Sequence, residues 1–195
     1  MSKVKVKNIE KLADTKYLKL YSADYINKKG TLRNWTIASR KSIEDLNNKF
    51  FDNGEDQPDA VVIIAKHIEE DKLVLIRQFR VPINDYVIEL PAGLVDEGEN
   101  FIETVKRELK EETGLDLVKI DEERTNKKVY VSVGMTDESI SLVYCTCSGN
   151  PSNENLEDDE DIEVILVSKE EAKEILKTEK NIDVKALLAI ENYIK

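Results

Sequence analysis

The chain has 195 residues, 41% of them apolar and 35% charged, enough for one hydrophobic core plus a small extension, and 40 Asp and Glu against 29 Lys and Arg leave a net charge of -11. That excess argues against duplex nucleic acid and anionic membrane as partners, which need a positive contact face, but it allows a phosphate-bearing small ligand if a divalent cation inverts the local sign. No apolar run approaches the roughly 20 residues that span a bilayer, and the N-terminus lacks a hydrophobic signal core. Cys145 and Cys147 lie too close along one strand for a disulfide and are too few for structural zinc, so a cytoplasmic protein with free, buried thiols is expected.

The residues up to about 56 read as a β-rich segment. Residues 1–7 alternate like a strand, Tyr17–Tyr25 is rich in β-formers, Lys28-Lys29-Gly30 is a turn, and Leu32–Ser39 alternates around Trp35, the one tryptophan. Residues 42–59 are polar with scattered apolar positions and read as loop. From residue 57 onward the pattern changes to a second domain. Ala60–Ala65 is a continuous apolar run and predicts a buried strand; Leu73–Arg80 and Tyr86–Leu90 predict two more. A helix is expected over Phe101–Thr113, then strands over Val129–Val133, Ser139–Cys147 and Glu163–Val167. Ser168 with Glu171, and Asp183, cap two final helices. The order predicts a mixed α/β core behind a small β-sheet extension.

The chemistry concentrates between Pro91 and Leu115. Asn100 and Glu103 form a capping box, Gly114 suits the left-handed position after a helix, and Phe101, Val105 and Leu109 make an apolar stripe. On the opposite side, Glu108 and Glu112 stand one turn apart with Glu111 beside them. Carboxylates so close repel, and a hard divalent cation such as Mg²⁺ relieves the conflict while keeping positions free for substrate phosphates. Arg107 lies four residues from Glu103 and Glu111, Gly93 and Gly98 let the preceding loop turn tightly, and the carbonyl of Ala92 is a further candidate ligand.

Written G-x5-E-x7-R-E-U-x-E-E-x-G-U, with U a bulky aliphatic residue, the pattern is filled at every position by Gly93, Glu99, Arg107, Glu108, Leu109, Glu111, Glu112, Gly114 and Leu115. The seven exact matches have a chance probability on the order of one in a billion per start site. The stretch resembles the signature of the Nudix hydrolases, which cleave nucleoside diphosphates linked to another moiety. The resemblance implies an α/β/α sandwich with a mixed sheet and Mg²⁺-dependent attack of water on a pyrophosphate, with Mn²⁺ as a possible substitute. It implies Glu108 and Glu112 as metal ligands, Glu111 assisting metal and catalysis, Ala92 offering its carbonyl, and Glu99 and Arg107 tying loop to helix.

The flanks, Arg77–Pro82 and Val87–Glu99, are similar to the ADP-ribose pyrophosphatase branch. That likeness implies Arg80 on a substrate phosphate, Glu89 beside the metal, Glu138 on a ribose, Trp35 as an adenine platform, and a homodimer joined through the N-terminal sheets. A base for the water would come from the acidic stretch 157–161, with Glu160 first and Asp158 next. Val133 stands where the branch often has proline, which leaves another nucleotide sugar as an alternative substrate. A sensor that binds ADP-ribose without cleaving it is a further alternative, disfavoured because all the signature glutamates are present. His67 receives no catalytic role. The net charge now has an address: the seven carboxylates in 96–112 outnumber three bases, and the seven in 154–163 face none.

Overall fold

The computed structural model describes residues 5–52, 54, 56–157 and 160–195. Two compact units are present: Met1–Asp59 with Lys128–Ile140, and Ala60–Lys127 with Ser141–Lys195.

The first unit is built on an antiparallel sheet of β1 (Val6–Asp14), β2 (Lys19–Ile26) and β3 (Leu32–Ser39). Tyr21 and Ala23 point to the same face and are buried with Ile9. Residues 42–59, expected as loop, instead contain helix α1 (Ile43–Phe51). Ser42 and Asp45 form a complete capping box, and Ile43, Leu46 and Phe50 supply an apolar stripe that packs on the sheet, with Leu46 fully buried. The stripe is present in the sequence, but its three anchors are outweighed by the polar residues between them.

In the second unit, β4 (Ala60–His67), β5 (Lys72–Arg80), β6 (Asp85–Glu89), β7 (Ala92–Leu94) and helix α2 (Phe101–Thr113) lead to β8 (Asp116–Ile120). Strand β9 (Asn126–Tyr130) is followed by β10 (Ser139–Ser148), β11 (Ile162–Val167), α3 (Lys169–Thr178) and α4 (Val184–Tyr193). The mixed main sheet runs β11-β5-β4-β10-β8, with β6 on β5, β7 on β4 and β9 on β10. Strand β9 starts and ends three residues before the predicted 129–133, and β7 and β8 are additional short strands.

Alternation along β11 shows how the layers form. Val164 and Leu166 pack into the core under α2, with Val61, Ile63, Ala65, Val105 and Leu109. Ile165 and Val167 face the other way, against Ile175 of α3. Helices therefore cover both faces of one sheet, the expected α/β sandwich. Cys145 and Cys147 are free and buried in the same core, where burial pushes both thiols up to about 12. Among the described residues, no helix is long and apolar enough to cross a membrane.

Candidate active site

Helix α2 has the predicted boundaries. Asn100 accepts N–H bonds from Ile102 and Glu103 while Glu103 accepts the Asn100 N–H, and Gly114 takes φ +73° after the last turn. A Cβ on Gly114 would lie 2.6 Å from the Ser152 nitrogen, so glycine also admits the 152 segment against the helix end.

Two of the three carboxylates, Glu108 and Glu112, are not on the solvent side of this helix. Glu108 is 8% exposed and Glu112 3%, whereas the Glu111 side chain is 41% exposed. At 3.6 residues per turn, Glu112 projects only about 20° from Val105, so it belongs to the packed face rather than the opposite one. Gly93 makes this burial possible: a Cβ there would stand 1.8 Å from the Glu108 carboxyl carbon. Glu112 accepts the Ala92 N–H at 2.9 Å, bringing the backbone of β7 against its carboxylate.

Arg107 organises the neighbouring loop. Its Nε and Nη2 bond the two oxygens of Glu99, each at 3.0 Å, Nη2 also donates to the Leu94 carbonyl, and Nη1 donates to Glu108 at 2.7 Å and Glu111 at 3.0 Å. Thr104 Oγ1 adds a 2.9 Å bond to Glu99. The Arg107 guanidinium lowers Glu99 to about 2, and its own pKa is raised in return. Burial raises Glu108, opposed by Arg107, and raises Glu112 well above the usual carboxylate range, opposed by the Ala92 N–H. The charge of Glu160 raises both further, which places Glu160 within electrostatic reach of the pair.

Arg80 forms a bidentate pair with Glu89, Nε–Oε1 at 2.7 Å and Nη2–Oε2 at 2.9 Å, and feels the charge of Glu112. Glu160 accepts the Glu157 N–H at 3.0 Å. Asp158 lies outside the described residues. A cavity of about 890 Å³ in the same unit, lined by Lys119, Arg124, Tyr144 and Tyr193, touches none of these carboxylates.

Within the first unit, Trp35 is 51% exposed, donates from Nε1 to the Gly134 carbonyl at 3.3 Å, and lines a cavity of about 240 Å³ with Tyr130, Val133 and Met135. Glu138 is paired with Arg40 at 3.2 Å. His67 is buried and bonded to the Gly149 carbonyl and the Glu70 N–H, a structural position.

Among the described residues, no three Asp, Glu, His or Cys side chains already converge as a cation cage. The donor chemistry nonetheless fits a hard divalent cation: two buried carboxylates one turn apart, both disfavoured as anions by burial, with a backbone segment drawn against one of them. Thr104 and Tyr86, whose hydroxyl bonds Asp161, carry no signal in the sequence pattern. Tyr86 reaches across 75 residues, which no local pattern reveals.

The NUDIX domain model matches residues 56–188. The chain is 42% identical over 120 residues to "Putative nudix hydrolase 2" of Caenorhabditis elegans, a match covering 58% of this chain and 53% of that protein, so it spans about half the length of that relative. It is 32% identical over 135 residues to the ADP-ribose pyrophosphatase of Bacillus subtilis, covering 69% of this chain and 71% of that one. A crystal structure of an ADP compounds hydrolase superposes with a TM-score of 0.66 at 21% identity, covering 97% of this chain and 92% of the other, a likeness of fold. The signature, the sandwich and these matches together show that the chain belongs to the Nudix hydrolase family and is related to ADP-ribose pyrophosphatases.

Proposed function

We propose that the protein hydrolyses the pyrophosphate of a nucleoside diphosphate sugar with Mg²⁺, ADP-ribose to AMP and ribose 5-phosphate foremost. The observation that carries this reading is the burial of Glu108 and Glu112 side by side, a costly arrangement for two anions and a useful one for a cation site. In it, Glu108 and Glu112 hold the metal, assisted by Glu111 and the Ala92 carbonyl, and Mn²⁺ substitutes. The bound ion supplies charge neutralisation at the phosphate and activation of water.

The chain's own groups do the rest. Arg80, aimed by Glu89, exchanges part of that pair for phosphate oxygens. Glu160 takes a proton from the attacking water at its carboxylate, with Asp158 as the second candidate. Gly93, Glu99, Arg107 and Gly114 hold the loop and helix in place. Trp35 stacks on the base and Glu138 binds a ribose hydroxyl. The working form is a cytoplasmic homodimer.

Val133, 75% exposed in the segment between β9 and β10, favours a second reading in which another nucleotide sugar is preferred. A panel of nucleotide sugars ranked by kcat/KM decides between them: ADP-ribose is expected first, with AMP and ribose 5-phosphate as products. Failure of the folded protein to turn over any nucleotide sugar refutes the proposal.

A further inference from the structure

The acidic segment that carries Glu160 enters β11 at Asp161, and Asp161 is held from two sides. The Phe79 N–H donates to its carbonyl at 3.1 Å, and the Tyr86 hydroxyl donates to its Oδ2. Tyr86 and Phe79 are cross-strand partners in the β5–β6 ladder, and their rings pack edge to face with centroids 5.6 Å apart. The anchor is thus part of the sheet rather than of the loop.

On the other side of the anchor, Glu160 bonds back to Glu157. Its N–H donates to the Glu157 carbonyl at 3.1 Å, and its carboxylate accepts the Glu157 N–H at 3.0 Å. That bond takes one of the acceptor sites of the Glu160 carboxylate and leaves others for a proton from water, so where they point depends on how the backbone at 160–161 is held.

We propose that Tyr86 is a positioning residue for Glu160: by fixing Asp161 to β6, it confines the motion of the base to the one residue upstream of a rigid pivot. This rests on the reading of Glu160 as the proton acceptor. The bond to Asp161 also raises the phenol's pKa, so Tyr86 remains a donor at neutral pH. Positioning of this kind acts on turnover, because small misplacements of a catalytic group cost rate steeply while leaving substrate binding intact.

The test is steady-state hydrolysis of ADP-ribose with Mg²⁺ by the wild type, Tyr86→Phe, Asp161→Ala, Glu160→Gln and the double variant Y86F/E160Q. Tyr86→Phe keeps the ring against Phe79 and removes only the hydroxyl. Tyr86→Phe and Asp161→Ala are each expected to lower kcat about tenfold while KM and the half-saturating Mg²⁺ concentration stay within about twofold. In the Glu160→Gln background, Tyr86→Phe is expected to cost nothing further. Wild-type kcat in Tyr86→Phe, or an undiminished tenfold loss on top of Glu160→Gln, overturns the inference. A fully active Glu160→Gln removes the base assignment and this inference with it, whereas an impaired Glu160→Gln beside an active Tyr86→Phe removes this inference alone. Melting curves check folding, and because the two single variants remove opposite ends of one bond, either folded variant decides.

Discussion

A carboxylate that is 3% exposed and holds one backbone N–H is poorly placed at neutral pH unless something compensates its charge. Glu112 is in that position and Glu108 nearly so, and the sign of their effect on stability follows. Burial raises both folded-state pKa values above the unfolded value, so the folded chain holds those protons more tightly. Their contribution to stability is fully present below the unfolded carboxylate pKa and is lost as pH rises through the folded one. Glu99 works the other way: its pKa is lowered to about 2, and its contribution, present above the unfolded value, is lost as pH falls toward about 2. Melting curves of the metal-free protein between about pH 5 and 8 are therefore expected to show falling stability with rising pH, with Mg²⁺ restoring more at the alkaline end, because the ion competes with protons for the same oxygens. Metal-free Glu112→Gln is expected to melt about 2–4 °C higher than the wild type and to show little response to Mg²⁺, since the amide oxygen still accepts the Ala92 N–H without carrying a charge. Gly93→Ala places a methyl group on the Glu108 carboxylate and is expected to lower metal affinity, read by calorimetric titration, about tenfold or more.

At the scale of elements, α2 is legible from its ends inward because caps and stripe agree, and Asn100→Ala, which removes both N–H bonds at the first turn, is expected to cost about 1 kcal/mol in chemical denaturation. The orientation of its glutamates is not legible by the same rule: a stripe of Phe101, Val105 and Leu109 draws the eye to one face, while the 100° step carries Glu112 back onto it. What makes room for the neighbouring Glu108 carboxylate is Gly93 on an adjacent strand, a contact of tertiary origin. Helix α1 has both a capping box and an apolar stripe in its sequence, yet its asparagines and the Asn53-Gly54 pair point toward loop. Strands β7 and β8 are too short to alternate convincingly; β7 owes its existence to pairing with β4. The pair Arg80–Glu89 and the bond Tyr86–Asp161 join positions whose proximity depends on how β6 folds onto β5 and on where β11 begins. Residue types mark the first pair as candidates; only the fold shows them bonded to each other.

For the whole molecule, the net charge of -11 that first served to set aside polyanionic partners separates into two clusters, one on α2 and its loop and one just before β11, and the charge of Glu160 ties the second to the first. Sedimentation equilibrium at micromolar concentration is expected to give a dimer, and a monomer counts against the homodimer proposal. The family and the sandwich follow from the signature, the fold and the comparisons; the central claim beyond them is that the buried Glu108–Glu112 pair holds the ion on which turnover depends. Its most direct test is ADP-ribose hydrolysis followed across a Mg²⁺ titration for the wild type and Glu112→Gln. The account predicts saturable, Mg²⁺-dependent release of AMP by the wild type and a kcat at least about 100-fold lower in the variant. A variant that keeps both wild-type turnover and wild-type Mg²⁺ affinity would contradict it.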